Sequence, residues 1–181
     1  MWNDRFVSLR SIDRNVFPVL IIGLLLCAGL YLTSLYSYLL FHVAAESFSI
    51  GIAIALFLIA WNTRHLAKNN YILFLGIAFL FAGLIDFAHT LAYKGMGIFT
   101  GYDANLPTQL WIVARYLQSL SLLAAPWFID RKLDVRAVLG FYLFATILLL
   151  AVVFSGALFP ACFVEGTGLT PFKIVSEYII S

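Results

Sequence analysis

Twenty-five consecutive positions, 16–40, pass without a charged side chain, and that run decides the class of structure before any motif is considered. The hydrocarbon core of a bilayer is about 30 Å thick, so a helix rising about 1.5 Å per residue crosses it in around 20 residues. A secretory signal core is shorter, roughly 7–15 residues. With no small-residue cleavage site after it, the run behind Arg5, Arg10 and Arg14 reads as a retained first helix. Comparable stretches recur at 42–62, 70–92, 108–129 and 136–158, and another opens near 172. Composition agrees: 63% of residues are hydrophobic and 11% charged, where soluble domains are about half apolar. The expected fold class is all-α, a polytopic transmembrane helix bundle of five full spans plus the start of a sixth. Residues 1–15 are expected to form a cytoplasmic N-terminal segment and 16–181 the bundle. About ten residues beyond 172 cannot cross the hydrocarbon, so the bundle is expected to be truncated at its C-terminus.

Positive charge sets the orientation, because cytoplasmic loops retain lysine and arginine. With the N-terminus inside, that side holds Arg5, Arg10, Arg14, Arg64, Lys68, Arg131, Lys132 and Arg136, and the other side holds Lys94 and Lys173. The expected location is the plasma (inner) membrane, multi-pass, with Trp61 and Trp127 at the cytoplasmic interface. The formal net charge of +2 is small and spread along the chain, which gives no reason to invoke nucleic acid. Two cysteines, Cys27 and Cys162, form no disulfide framework and read as packing residues. Pro107 near the start of the fourth helix and Pro126 near its end are both compatible with helix termini.

Against this apolar background the ionisable residues inside the spans stand out. The second helix enters from outside with His42 at its mouth and Glu46 one turn deeper. The third rises to Asp86 and His89 in its last two turns, before the exit at Lys94. The fourth descends to Arg115, and the sixth brings Glu177 about a turn below its start. Each pair, His42 with Glu46 and Asp86 with His89, is spaced to share a helical face, as are Trp111, Arg115 and Ser119. A charge at the bilayer centre costs roughly 3 kcal/mol on insertion scales, so such residues turn to the bundle interior and find partners. Convergence in one outer-leaflet layer is therefore expected.

Such a layer supports three readings. Two imidazoles with carboxylates can coordinate a transition metal, and helical carboxylate and His pairs are how bundle proteins build metal sites. The metal ligands would be His42, Glu46, Asp86 and His89; haem between His42 and His89 is a further variant. A metal-free ligand pocket is the second reading. The third is an ion-pair network in which Glu46 or Asp86 neutralises Arg115 and the histidines complete the hydrogen bonding. Elsewhere, His65 reads as solvated, Tyr93, Tyr116 and Trp111 as packing or belt aromatics, and Ser47, Ser49 and Gln118 as polar links between helices. Gly76 and Gly83, seven apart, read as a close helix contact.

Four segments also carry a resemblance: "FHVAAE" at 41–46, "DFAHTLAYKGM" at 86–96, "TQLWIVARYLQSLSLL" at 108–123 and "SEY" at 176–178. In order and spacing they resemble the membrane-associated sensor domain of the third type, found ahead of bacterial and archaeal signalling enzymes. The resemblance implies a membrane-embedded sensory input domain feeding a cytoplasmic output module of histidine kinase, diguanylate cyclase or PAS type, with a homodimer as the working form. This chain would itself be no enzyme. The family's polar motif positions fall on His42, Glu46, Asp86, His89, Lys94, Trp111, Arg115 and Glu177, which the resemblance marks as ligand-binding.

Two other classes compete. An intramembrane metal hydrolase would activate water on a bound metal, but its sites generally offer several histidines and only two reach this layer. A proton-coupled transporter would use the acids and histidines as a relay, but the inner half of each helix is apolar and no inverted repeat is visible.

Overall fold

The structure is a computed structural model describing residues 4–67 and 69–180, and for 4–15 the backbone alone. Six α-helices make up most of these residues: α1 (Asp4–Tyr36), α2 (Tyr38–Thr63), α3 (Tyr71–Ala92), α4 (Asn105–Ala124), α5 (Val135–Phe154) and α6 (Pro171–Ile180). A 3-10 turn, Ala125–Phe128, follows α4, and β1 (Phe163–Val164) pairs antiparallel with β2 (Gly168–Leu169). The chain divides into two units, Met1–Ala45 and Glu46–Ser181.

Four segments are long and apolar enough to span a membrane: Val16–Tyr36 within α1, then α2, α3 and α5. Five spans were expected, and α4 is the helix that falls short. It carries Gln109, Arg115, Gln118, Ser119 and Ser121 on 20 residues, which dilutes its hydropathy. Helical backbone already begins at Asp4, within the expected N-terminal segment; residues 1–3 lie outside the described residues.

In the first unit, the junction between α1 and α2 falls at Ser37 rather than near residue 41. The Ser37 hydroxyl accepts from the Leu40 N–H at 3.4 Å and its carbonyl accepts from Phe41 N at 3.0 Å. A serine at that position caps the first free N–H groups of the next helix, which fixes where it starts.

In the second unit α3 is central. Thirteen of its 22 residues are buried, and a stripe through Leu84 and Phe87 stays exposed, as expected of a helix packed between partners. It meets α2 at two glycines: a Cβ on Gly76 would stand 2.8 Å from the Ala60 Cβ, and one on Gly83 3.1 Å from the Ala53 Cβ. Such approaches, too short for a side chain, are how small residues let membrane helices pack. α4 runs along another face of α3, joined through Ile85, Leu106, Leu110, Val113 and Ala114. At one end Phe74, Phe128 and Tyr142 close the α3–α5 contact, with Phe74 and Phe128 stacked at 4.4 Å. There Asn70 N–H donates to the Phe128 carbonyl at 3.1 Å and its side chain to the Arg131 carbonyl at 2.9 Å. Pro126 sits in the 3-10 turn, where the helix has tightened and its missing N–H is tolerated.

At the opposite end α4 holds the segment leading into α6. Asn105 Oδ1 accepts from the backbone N–H groups of Cys162 and Phe163 at 2.7 and 3.0 Å. Gln109 donates to the carbonyls of Phe159 and Pro160. Gly166, at φ +86°, is the third residue of the turn whose Thr167 N–H returns to the Val164 carbonyl, a place that requires positive φ. Thr170 then caps α6, its hydroxyl accepting from Lys173 N at 3.3 Å. The position of α6 is thus dictated by α4.

Candidate functional site

The ionisable residues of the second unit connect across four helices. On α3, Asp86 and His89 occupy successive turns and are 4% and 5% exposed, so their polar atoms depend on protein partners. Asp86 Oδ2 pairs with Nη2 of Arg115 on α4. The same guanidinium donates through Nη1 to Gln118 Oε1 at 2.6 Å and lies 5.7 Å from the Trp111 ring. Among the described residues, Asp86 Oδ1 and Arg115 Nε are buried with no hydrogen-bond partner. The pair is therefore tight but incompletely satisfied, an arrangement that desolvation makes costly in a low-dielectric interior.

His89 Nδ1 lies 2.7 Å from the Pro107 carbonyl. A carbonyl only accepts, so Nδ1 carries the proton and Nε2 is the ring's acceptor nitrogen. That nitrogen faces Glu46 Oε1 of α2 at 3.9 Å, and Tyr93 stands edge-on to the ring at 6.4 Å. Holding one ring nitrogen on a backbone carbonyl is how proteins orient a ligating histidine. A separation of 3.9 Å exceeds a hydrogen bond. It matches two ligand atoms each about 2.1 Å from one metal ion at an angle wider than tetrahedral.

Beyond Arg115 the chain of polar groups continues to α6. Lys173 is 5% exposed, with its ammonium 3.8 Å from the centroid of the Trp111 ring and 2.5 Å from Glu177 Oε1. Tyr116 donates to Ser176 at 3.0 Å beside it. Trp111 thus lies against both Arg115 and Lys173, and its π-face is attractive to each cation.

Of the residues marked from sequence, Glu46, Asp86, His89, Trp111, Arg115 and Glu177 are linked in this way. His42 belongs to the first unit, on α2 one turn before Glu46, where its ring stacks on Tyr38 at 6.4 Å. Lys94 does not join; it pairs with Glu165 at 3.6 Å with both side chains mostly exposed. That pair rims a cleft of about 230 Å³ built from the glycine-rich loop after α3. His65 is exposed, as expected, but so are Ser47 and Ser49, which do not link helices, and Gln118 serves Arg115 on its own helix.

Three participants escaped the sequence reading. Lys173 counted there only among the charges of the outer side, yet it is the buried partner of Glu177, and the i,i+4 spacing of the two was the available signal. The Pro107 carbonyl left no signal, since any residue supplies a backbone carbonyl, and Ser176 stood in the "SEY" segment with no role assigned to it. Cys162 is fully buried, and burial pushes its thiol up to about 11, so it is protonated and no nucleophile at neutral pH.

The sequence pattern of the membrane-associated sensor domain family, MASE3, matches residues 33–181, and the chain belongs to that family. Its place is in a membrane, as a sensory input domain, a class defined by detecting a stimulus. No curated protein and no solved structure matches the chain.

Proposed function

We propose that the chain is the input of a signal-transduction protein and that the Glu46–His89 and Asp86–Arg115 pairs form its stimulus site, holding a transition-metal ion. The observation that carries this is His89: its Nδ1 is committed to Pro107, and its Nε2 faces a carboxylate across a gap of 3.9 Å. Asp86 keeps Oδ1 available while Arg115 holds Oδ2. His42 enters the ligand set on its four-residue spacing from Glu46 alone. A purely structural network is the second reading: the Asp86–Arg115 pair supports it, and the Glu46–His89 approach fits it as an ion pair. Haem and the hydrolase and transporter readings gain no observation here.

In this reading α4 serves as a fifth span whose polar face is turned to α3 and α6, the N-terminus is cytoplasmic, and the protein sits in the plasma membrane. Occupancy changes the packing of α3 against α4, and Trp111 passes the change to Lys173 and Glu177 on α6. A cytoplasmic kinase, cyclase or PAS-type output then reads the position of α6, as a homodimer. A ligand shifts such an equilibrium only by its difference in affinity for the two packings. With the chain attached to a cyclase or kinase reporter, output is expected to respond to zinc, manganese, iron or copper supplied against chelator. His89→Ala should reduce that response about tenfold or more. An unchanged response in the variant, or none in the parent, counts against the metal.

A further inference from the structure

A second site is formed at the other end of the same helices. The groove between α4 and α5 has a volume of about 490 Å³, within the range of small-molecule sites. Its walls are Phe74, Leu117, Leu120, Phe128, Val138 and Phe141, and its two polar members, Ser121 and Tyr142, satisfy one another. The Ser121 hydroxyl donates to the Leu117 carbonyl at 2.5 Å and stands 2.6 Å from the Tyr142 hydroxyl. The groove therefore offers hydrocarbon and asks for no polar ligand group. Its α4 wall runs from Leu117 to Ala124, about 10 Å at 1.5 Å per residue, where one leaflet's hydrocarbon is about 15 Å deep.

The end of the groove at Phe128 and Ala137 abuts the α4–α5 connection, where Arg131, Lys132 and Arg136 are all exposed. Two acids share that connection, Asp130 and Asp134. The Asp134 carboxylate is engaged as the cap of α5, accepting from Arg136 N at 3.0 Å and Ala137 N at 3.1 Å. Arg131 lies 4.6 Å from the ring of Trp127, a residue type enriched at membrane–water interfaces.

We propose that this groove binds one acyl chain of an anionic phospholipid, with the headgroup phosphate held by Arg131, Lys132 and Arg136. A soluble anion would leave the apolar wall uncovered. A zwitterionic lipid would leave three cations facing a headgroup with no net charge. Basic clusters at the membrane surface select anionic lipid for this reason.

The test is retention of lipid by the full chain reconstituted in nanodiscs of equal phosphatidylglycerol and phosphatidylcholine, read by native mass spectrometry. The expected result is at least about tenfold preferential retention of phosphatidylglycerol. The triple change Arg131→Gln, Lys132→Gln, Arg136→Gln should bring the ratio near one. Leu120→Trp, at a position 61% exposed and so tolerant of bulk, should fill the groove and remove both retained lipids. Equal retention by the parent chain, or a preference that survives the triple change, overturns the headgroup assignment. Undiminished retention in Leu120→Trp overturns the groove.

Discussion

Arg115→Met is expected to destabilise the second unit by about 3–5 kcal/mol, because it strands a buried carboxylate without its cation. Asp86 is 4% exposed and cannot recover solvent in exchange. Its Oδ1 already lacks a partner, so no neighbour stands ready to take the guanidinium's place. Methionine keeps most of the side chain's length and packing, which confines the loss to the charge. The informative companion is Asp86→Leu with Arg115→Met. Removing both charges also removes both desolvation costs, and replacing a buried pair with apolar residues is often neutral or better. The double variant should return to within about 1 kcal/mol of the parent in reversible unfolding from detergent. A single variant as stable as the parent would mean that water or lipid headgroups reach the pair.

Trp111→Ala is expected to cost about 3 kcal/mol and to release α6. The indole covers Lys173 at 3.8 Å and lies 5.7 Å from Arg115, so its loss uncovers two cations at once. The Tyr116 contact to Ser176 at 3.0 Å and the Asn105 clamp on Cys162 and Phe163 remain. Neither replaces the aromatic face on which the buried ammonium rests. Hydrogen exchange over 171–180 should rise about tenfold or more while that of α3 changes little. Trp111→Phe keeps a π-face and should show a small fraction of the effect. Equal protection of α6 in the alanine variant would remove Trp111 from the link between the stimulus site and the last helix.

How much of this was readable from residues alone follows from what each feature needs. Spans α2, α3 and α5 declare themselves by length and apolarity, which are one-dimensional properties. α4 does not, because polar residues such as Gln109 and Arg115 serve neighbours whose positions the sequence withholds. The pairing of Asp86 with Arg115 was one of two options, since Glu46 and Asp86 lie at similar depth and only packing separates them. The same ambiguity assigned His89 to a layer but not to its partners: the carbonyl of Pro107, a backbone group, fixes its tautomer. The start of α2 was placed several residues late because apolar periodicity continues through Ser37, and the break rests on one serine hydroxyl. Lys173 was counted only among the charges of one membrane side, although it lies in the first turn of α6, which Thr170 caps.

The central claim is that Glu46 and His89, with the neighbouring Asp86–Arg115 pair, hold a metal ion as the stimulus. Elemental analysis of the purified chain, beside His89→Ala at matched helical content, tests it most directly. The account predicts close to one equivalent of a single transition metal in the parent chain and about tenfold less in the variant. A parent chain that carries none after purification and metal reconstitution, or a variant that retains the same amount, would contradict it.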